Sequence, residues 1–166
     1  MLGWIAGRDT MVFSNTPITK RFFWDQASEM QDSGLLNVEN HSFDLHSFEG
    51  KSMGYSNCCG YGLLPFKSEK FEDYKRRISN DMARMNNLFE EYLNKKSLFV
   101  AYPYGVYSKQ SEQVLKELGY KSSLTVEKGV RTFHSINDLW LIPRLNINMD
   151  LKGRKLIETI EQLSDR

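Results

Sequence analysis

Apolar and polar positions alternate along this chain with a period that changes several times, and each change marks an element. Between 70 and 93, Phe71, Tyr74, Ile78, Met82, Met85, Phe89 and then Tyr92 or Leu93 recur at three- and four-residue steps. That spacing sets one face of a long helix against a core. Shorter helices are predicted over 24–33, with Trp24, Ala27 and Met30 on one face and Gly34 as the stop, over 109–118, closed by Gly119, and over 151–163. Compact apolar runs predict strands at 1–6, 35–39, 97–101, 120–126 and 139–147. From 47 to 66 the periodicity lapses, and Gly50, Gly54, Gly60, Gly62 and Pro65 punctuate a long loop. A loop of that length in a compact domain is more often functional than idle.

Strands and helices in alternation imply parallel strands with helices packed outside. One α/β domain spanning 1–166 is expected, with its chemistry on the loops that follow the carboxyl ends of the strands. Composition changes this picture little. A chain of 166 residues is long enough for one well-buried core. Its 22 basic and 21 acidic side chains leave a net charge of +1, so no overall field draws it to nucleic acid or to an anionic membrane. No run approaches the roughly 20 apolar residues of a membrane span. The segment 1–6 lacks a basic flank and a small-residue cleavage site, so it reads as a buried strand rather than an export signal. Cys58 and Cys59 are adjacent, which gives neither a disulfide framework nor a CxxC metal spacing; they read as two loop thiols.

Two polar constellations stand at strand ends. The first is His41-Ser42-Phe43-Asp44-Leu45-His46. Two of the chain's three histidines lie here, and neutral imidazoles are common ligands for zinc and similar ions. Rings at these two positions converge if His41 ends the strand and His46 lies in the turn beyond it. Asp44 or Ser42 is then placed to orient a ring. The second is Phe99-Val100-Ala101-Tyr102-Pro103-Tyr104-Gly105, an apolar strand running into a tight turn. Such a turn aims backbone N–H groups at a ligand, the raw material of an oxyanion hole.

In this order and about 60 residues apart, the two constellations resemble the polysaccharide deacetylase (NodB homology) family. His41-Ser42 and His46 match its His-Ser/Thr-x-x-x-His motif, Pro103-Tyr104-Gly105 its Pro-Tyr-Gly motif, and Val114 to Tyr120 its helix ending in Leu-Gly-Tyr. The resemblance implies a distorted (β/α) barrel and one divalent metal, usually zinc, held by two histidines and an aspartate. It implies His41 and His46 as metal ligands and the Tyr104 N–H as a holder of the oxyanion. It implies a polysaccharide substrate, acetamido sugars above all, and a place outside the cytoplasm, in cell-wall or exopolysaccharide metabolism. Tyr55 and Tyr61 in the long loop are then expected to stack on sugar rings.

The sequence departs from the family at three points. The first motif, Thr-Phe-Asp-Asp-Gly, which supplies the base and the third ligand, is absent; 1–6 resembles the strand that follows it, and Asp9 is no substitute. The expectation is a barrel lacking its first strand and helix, inactive by itself, with an exposed edge that a homodimer would cover. The arginine usual before Pro-Tyr-Gly is replaced by Ala101-Tyr102; Arg144 is the candidate stand-in, able to fix a carboxylate bidentately. No Leu-x-His pattern supplies a general acid, which leaves His134 as a weak candidate beside an ordinary loop histidine. The expected activity is metal-dependent removal of N-acetyl groups from an amino-sugar polysaccharide. The alternative is a non-catalytic carbohydrate-binding relative.

Overall fold

The computed structural model describes residues 22–45, 62–147 and 151–164. Helix α1 spans Trp24–Asp32, α2 Phe71–Leu93, α3 Lys109–Glu117 and α4 Arg154–Ser164. Strands β1 (Phe99–Ala101) and β2 (Ser122–Leu124) pair in parallel, with Val100 opposite Ser123. Short 3₁₀ turns lie at Pro103–Gly105 and Ile136–Leu139. The strand expected at 1–6 lies outside the described residues.

Two isolated parallel bridges extend the pair, one from Asn40 to Val100 and one from Leu124 to Ile142. Four chain segments therefore run side by side in the same direction, in the order Asn40, β1, β2, Ile142. The Ala101 N–H donates to the Asn40 carbonyl at 2.9 Å, and the Ile142 N–H to the Ser123 carbonyl at 2.8 Å. A small parallel sheet with helices against it is the α/β arrangement that alternation implied.

The two outer segments correct the sequence reading. No strand covers 35–39: Leu35 and Leu36 are exposed, and pairing begins only at Asn40. The strand expected over 139–147 is reduced to the bridge at Ile142. Its first residue, Leu139, is taken by the Ile136–Leu139 turn, and Leu141 at φ 58 breaks the extended backbone just before the bridge.

Helix α2 joins two core clusters. Tyr74, Ile78 and Met82 pack with Val100, Tyr102, Val114, Leu115 and Tyr120 beneath the sheet. Met85, Phe89 and Leu93 pack with Ala27 of α1 and with Val38. Of the two candidates for the stripe's end, Leu93 is buried and Tyr92 is exposed, stacked at 4.9 Å on Trp24. Each such side chain contributes roughly 1.5–3 kcal/mol on leaving water. One face of α2 thus anchors both the sheet and α1. Helix α3 is closed at its start by a reciprocal pair: Ser108 Oγ accepts the Ser111 N–H at 3.1 Å, and Ser111 Oγ accepts the Ser108 N–H at 2.7 Å.

Candidate active site

The carboxyl ends of the four parallel segments open onto a cleft of about 490 Å³. It is lined by Glu39, His41, Ala101, Tyr104, Val126, Arg144, Asn146 and Ile147. His41 follows the Asn40 bridge, Tyr104 follows β1, Val126 follows β2 and Arg144 follows the Ile142 bridge. Each segment therefore delivers at least one lining residue beyond its last pairing residue. Three residues singled out from sequence, His41, Tyr104 and Arg144, meet here. His46 lies outside the described residues, as do Asp9, Tyr55, Tyr61, Cys58 and Cys59.

His41 Nδ1 lies 2.6 Å from the Ala101 carbonyl oxygen. A carbonyl only accepts, so Nδ1 carries the proton, and in the neutral ring the lone pair is on Nε2. A backbone carbonyl on one nitrogen is how metal-ligating imidazoles are commonly fixed in tautomer and orientation. His41 therefore fits the role of metal ligand. Among the described residues no group of three His, Cys, Asp or Glu side chains stands close enough to hold an ion. Glu39, on the cleft wall, is engaged already: it accepts from Asn37, from Lys95 at 3.1 Å and from the Ser97 hydroxyl.

Tyr104 sits at φ 57 and ψ 2, a left-handed conformation uncommon for a residue with a side chain, and Gly105 follows at φ 72. A Cβ at Gly105 would stand 2.3 Å from Val126 Cγ2, so only glycine lets the turn close against the end of β2. The Gly105 and Val106 N–H groups donate back to the Tyr102 and Pro103 carbonyls, which tightens the turn. Gly62, where the long loop re-enters the described residues, packs on the same turn: a Cβ there would be 2.9 Å from the Pro103 oxygen.

Arg144 is half-buried, and that burial lowers its pKa. Its Nε has no hydrogen-bond partner among the described residues, and no carboxylate pairs with it there. A buried guanidinium nitrogen without a partner is costly and invites an acceptor. His134 is exposed and is not among the cleft's lining residues; its N–H donates to Asp138, which closes the Ile136–Leu139 turn.

Sequence reasoning missed Asn40 and Asp81. Asn40 is fully buried; its Oδ1 accepts the Ser42 N–H at 2.7 Å and its Nδ2 donates to the Tyr120 hydroxyl at 2.8 Å. Asp81 lies within the buried stripe of α2 and accepts the N–H groups of Phe43 and Asp44, each at 2.8 Å. Burial pushes its carboxyl up to about 6, against the pull of those two N–H groups. The available signal was an acid at helical spacing between Ile78 and Met85, where an apolar residue would be expected.

Parallel segments with a histidine-bearing cleft at their carboxyl ends define an α/β protein of the kind that binds ligands at strand ends. The model of the polysaccharide deacetylase family matches residues 5–123, and the chain belongs to that family. It is 26% identical over 125 residues to the poly-beta-1,6-N-acetyl-D-glucosamine N-deacetylase of Staphylococcus aureus, covering 75% of this chain and 38% of that protein. The chain thus spans well under half the length of the curated relatives it matches. Among solved structures, a de-N-acetylase from Aggregatibacter actinomycetemcomitans superposes with a TM-score of 0.69 at 18% identity, covering 95% of this chain and 62% of that one. IcaB from Ammonifex degensii gives 0.63 at 25% identity, covering 90% and 55%.

Proposed function

We propose that this chain forms part of a metal-dependent hydrolase that removes N-acetyl groups from an amino-sugar polysaccharide such as poly-N-acetylglucosamine, outside the cytoplasm. The observation that carries this reading is the convergence of His41, Tyr104 and Arg144 on one cleft at the ends of parallel segments. The names of the Staphylococcus relatives support the substrate class. In the reaction, water adds to the acetamide carbonyl, the C–N bond breaks, and acetate leaves as the amine takes a proton.

His41, with Nδ1 held by Ala101, presents Nε2 as a metal ligand, and His46 supplies a second. A divalent metal held there, zinc in the usual case, would supply Lewis acidity for the acetyl carbonyl and would acidify the attacking water. The backbone N–H of Tyr104 stabilises the oxyanion as the carbonyl becomes tetrahedral. Arg144 holds a carboxylate, through the guanidinium nitrogen that has no acceptor among the described residues.

No Asp-Asp-Gly segment stands in the sequence to serve as base and third ligand. A tight zinc site takes at least three protein ligands, and positioned proton transfer contributes about 100- to 10,000-fold. The 166-residue chain is therefore expected to be nearly inactive alone. The alternative is a carbohydrate-binding relative of the deacetylases without catalysis of its own.

Acetate release from an N-acetylglucosamine oligomer, with zinc or cobalt added, separates the two. Grafting a family first strand that carries Asp-Asp-Gly onto the N-terminus should produce turnover that His41→Ala abolishes. Robust turnover by the ungrafted chain, indifferent to His41→Ala, would contradict the reading.

A further inference from the structure

The turn that leaves His41 makes no regular secondary structure, so its N–H groups need other partners. All four consecutive N–H groups from 42 to 45 find one in a side chain. The Ser42 N–H donates to Asn40 Oδ1 at 2.7 Å, and the Phe43 N–H to Asp81 Oδ1 at 2.8 Å. The Asp44 N–H donates to Asp81 Oδ2 at 2.8 Å, and the Leu45 N–H to Ser42 Oγ at 3.2 Å. Ser42 takes the left-handed φ of 71 that curls these groups inward. Successive N–H groups in such a curl form a concavity suited to an anion. The anion here is a carboxylate of the protein itself, carried by α2, whose flanking residues Ile78, Met82 and Met85 are locked in the core.

We infer that Asp81 is the positioning residue of the histidine turn: its carboxylate, gripping two adjacent N–H groups, fixes the path of the chain as it leaves His41 and so the setting of that ligand. It touches neither substrate nor metal and acts through the backbone of Phe43 and Asp44. The inference rests on the reading of His41 as a ligand, but the grip itself does not depend on that reading. An apolar residue at 81 would suit the surrounding core better, and would leave both N–H groups buried without acceptors. Asparagine has nearly the same volume, yet it offers one acceptor and turns an N–H₂ donor towards the other N–H.

The test uses the whole chain and its Asp81→Asn variant in two measurements. Titration with cobalt(II), read in the visible spectrum, reports ligand affinity and geometry. Removing groups that orient metal ligands typically costs about 10- to 100-fold in affinity. A loss of that size is expected for Asp81→Asn, with an altered spectrum. Amide hydrogen exchange should show protection lost at Phe43 and Asp44. Tyr92→Ala, on the exposed face of the same helix where it stacks on Trp24, should leave affinity and spectrum unchanged. Should Asp81→Asn not fold, Asp81→Glu keeps the acceptor, displaces it by one methylene, and is judged by the same two results. A folded variant with unchanged cobalt affinity and unchanged exchange at Phe43 and Asp44 would overturn the inference. Wild-type protein that binds cobalt no better than His41→Ala would overturn the role of the turn in holding a ligand in this chain, and the exchange result alone would then decide whether Asp81 holds the turn.

Discussion

Single residues set the shape of the cleft, and the most exacting of them is Gly105. Its φ of 72 and the 2.3 Å from a built Cβ to Val126 Cγ2 exclude a side chain for two separate reasons. Gly105→Ala is expected to lower stability in urea by about 2 kcal/mol, the middle of the range for overpacking. Val126→Ala in that background should recover the share due to the methyl groups, while the left-handed backbone keeps the rest. Full recovery would mean that φ costs nothing at this turn. A second residue-scale prediction concerns acid. Burial alone would raise the pKa of Glu69, but the hydrogen bonds from Arg77 and from the Phe66 N–H, with the charge of Arg77, bring it below its ordinary value. Arg77 Nε and Nη2 grip the two carboxylate oxygens, each at 2.8 Å. A depressed carboxylate contributes stability above its unfolded pKa and loses it as pH falls through the folded one. Urea stability compared at about pH 7 and about pH 3 should therefore fall less in Arg77→Met than in wild type.

Helices were legible at the scale of elements because their signals are local. The three-four spacing of α2 predicted its span to within a residue, and Gly34 and Gly119 marked the ends of α1 and α3. The outer strands were not legible. Pairing at Asn40 and Ile142 depends on which neighbour offers a partner, and nothing in the apolar run at 35–39 reveals that Leu35 and Leu36 stay in water. Asp81 was hidden for a related reason: its partners are backbone groups 37 and 38 residues away in sequence. A local signal of the readable kind is the Ser108–Ser111 box at the start of α3. This helix packs behind the Pro-Tyr-Gly turn, where Tyr102 donates to Glu112. Ser108→Ala should lower thermal stability by about 1 kcal/mol, the usual worth of an N-cap hydroxyl. No change would mean that the Ser111 hydroxyl and solvent replace it.

Across the molecule as a whole, parallel segments bring distant polar residues to one place. His41 and Arg144 are separated by most of the described chain, yet both line the same cleft as Tyr104. Sequence alone grouped them through resemblance to a family; the neighbouring parallel segments give the physical cause. Among the described residues no helix is long and apolar enough to cross a membrane. The central claim is that His41 is a metal ligand held in the Nδ1-protonated form by Ala101. Anomalous diffraction at the zinc edge, from crystals grown with zinc, tests it most directly. The account predicts a zinc ion in the cleft bonded to His41 Nε2 at about 2.0–2.1 Å. Zinc ordered elsewhere, with His41 Nε2 hydrogen-bonded to a protein group instead, would contradict it.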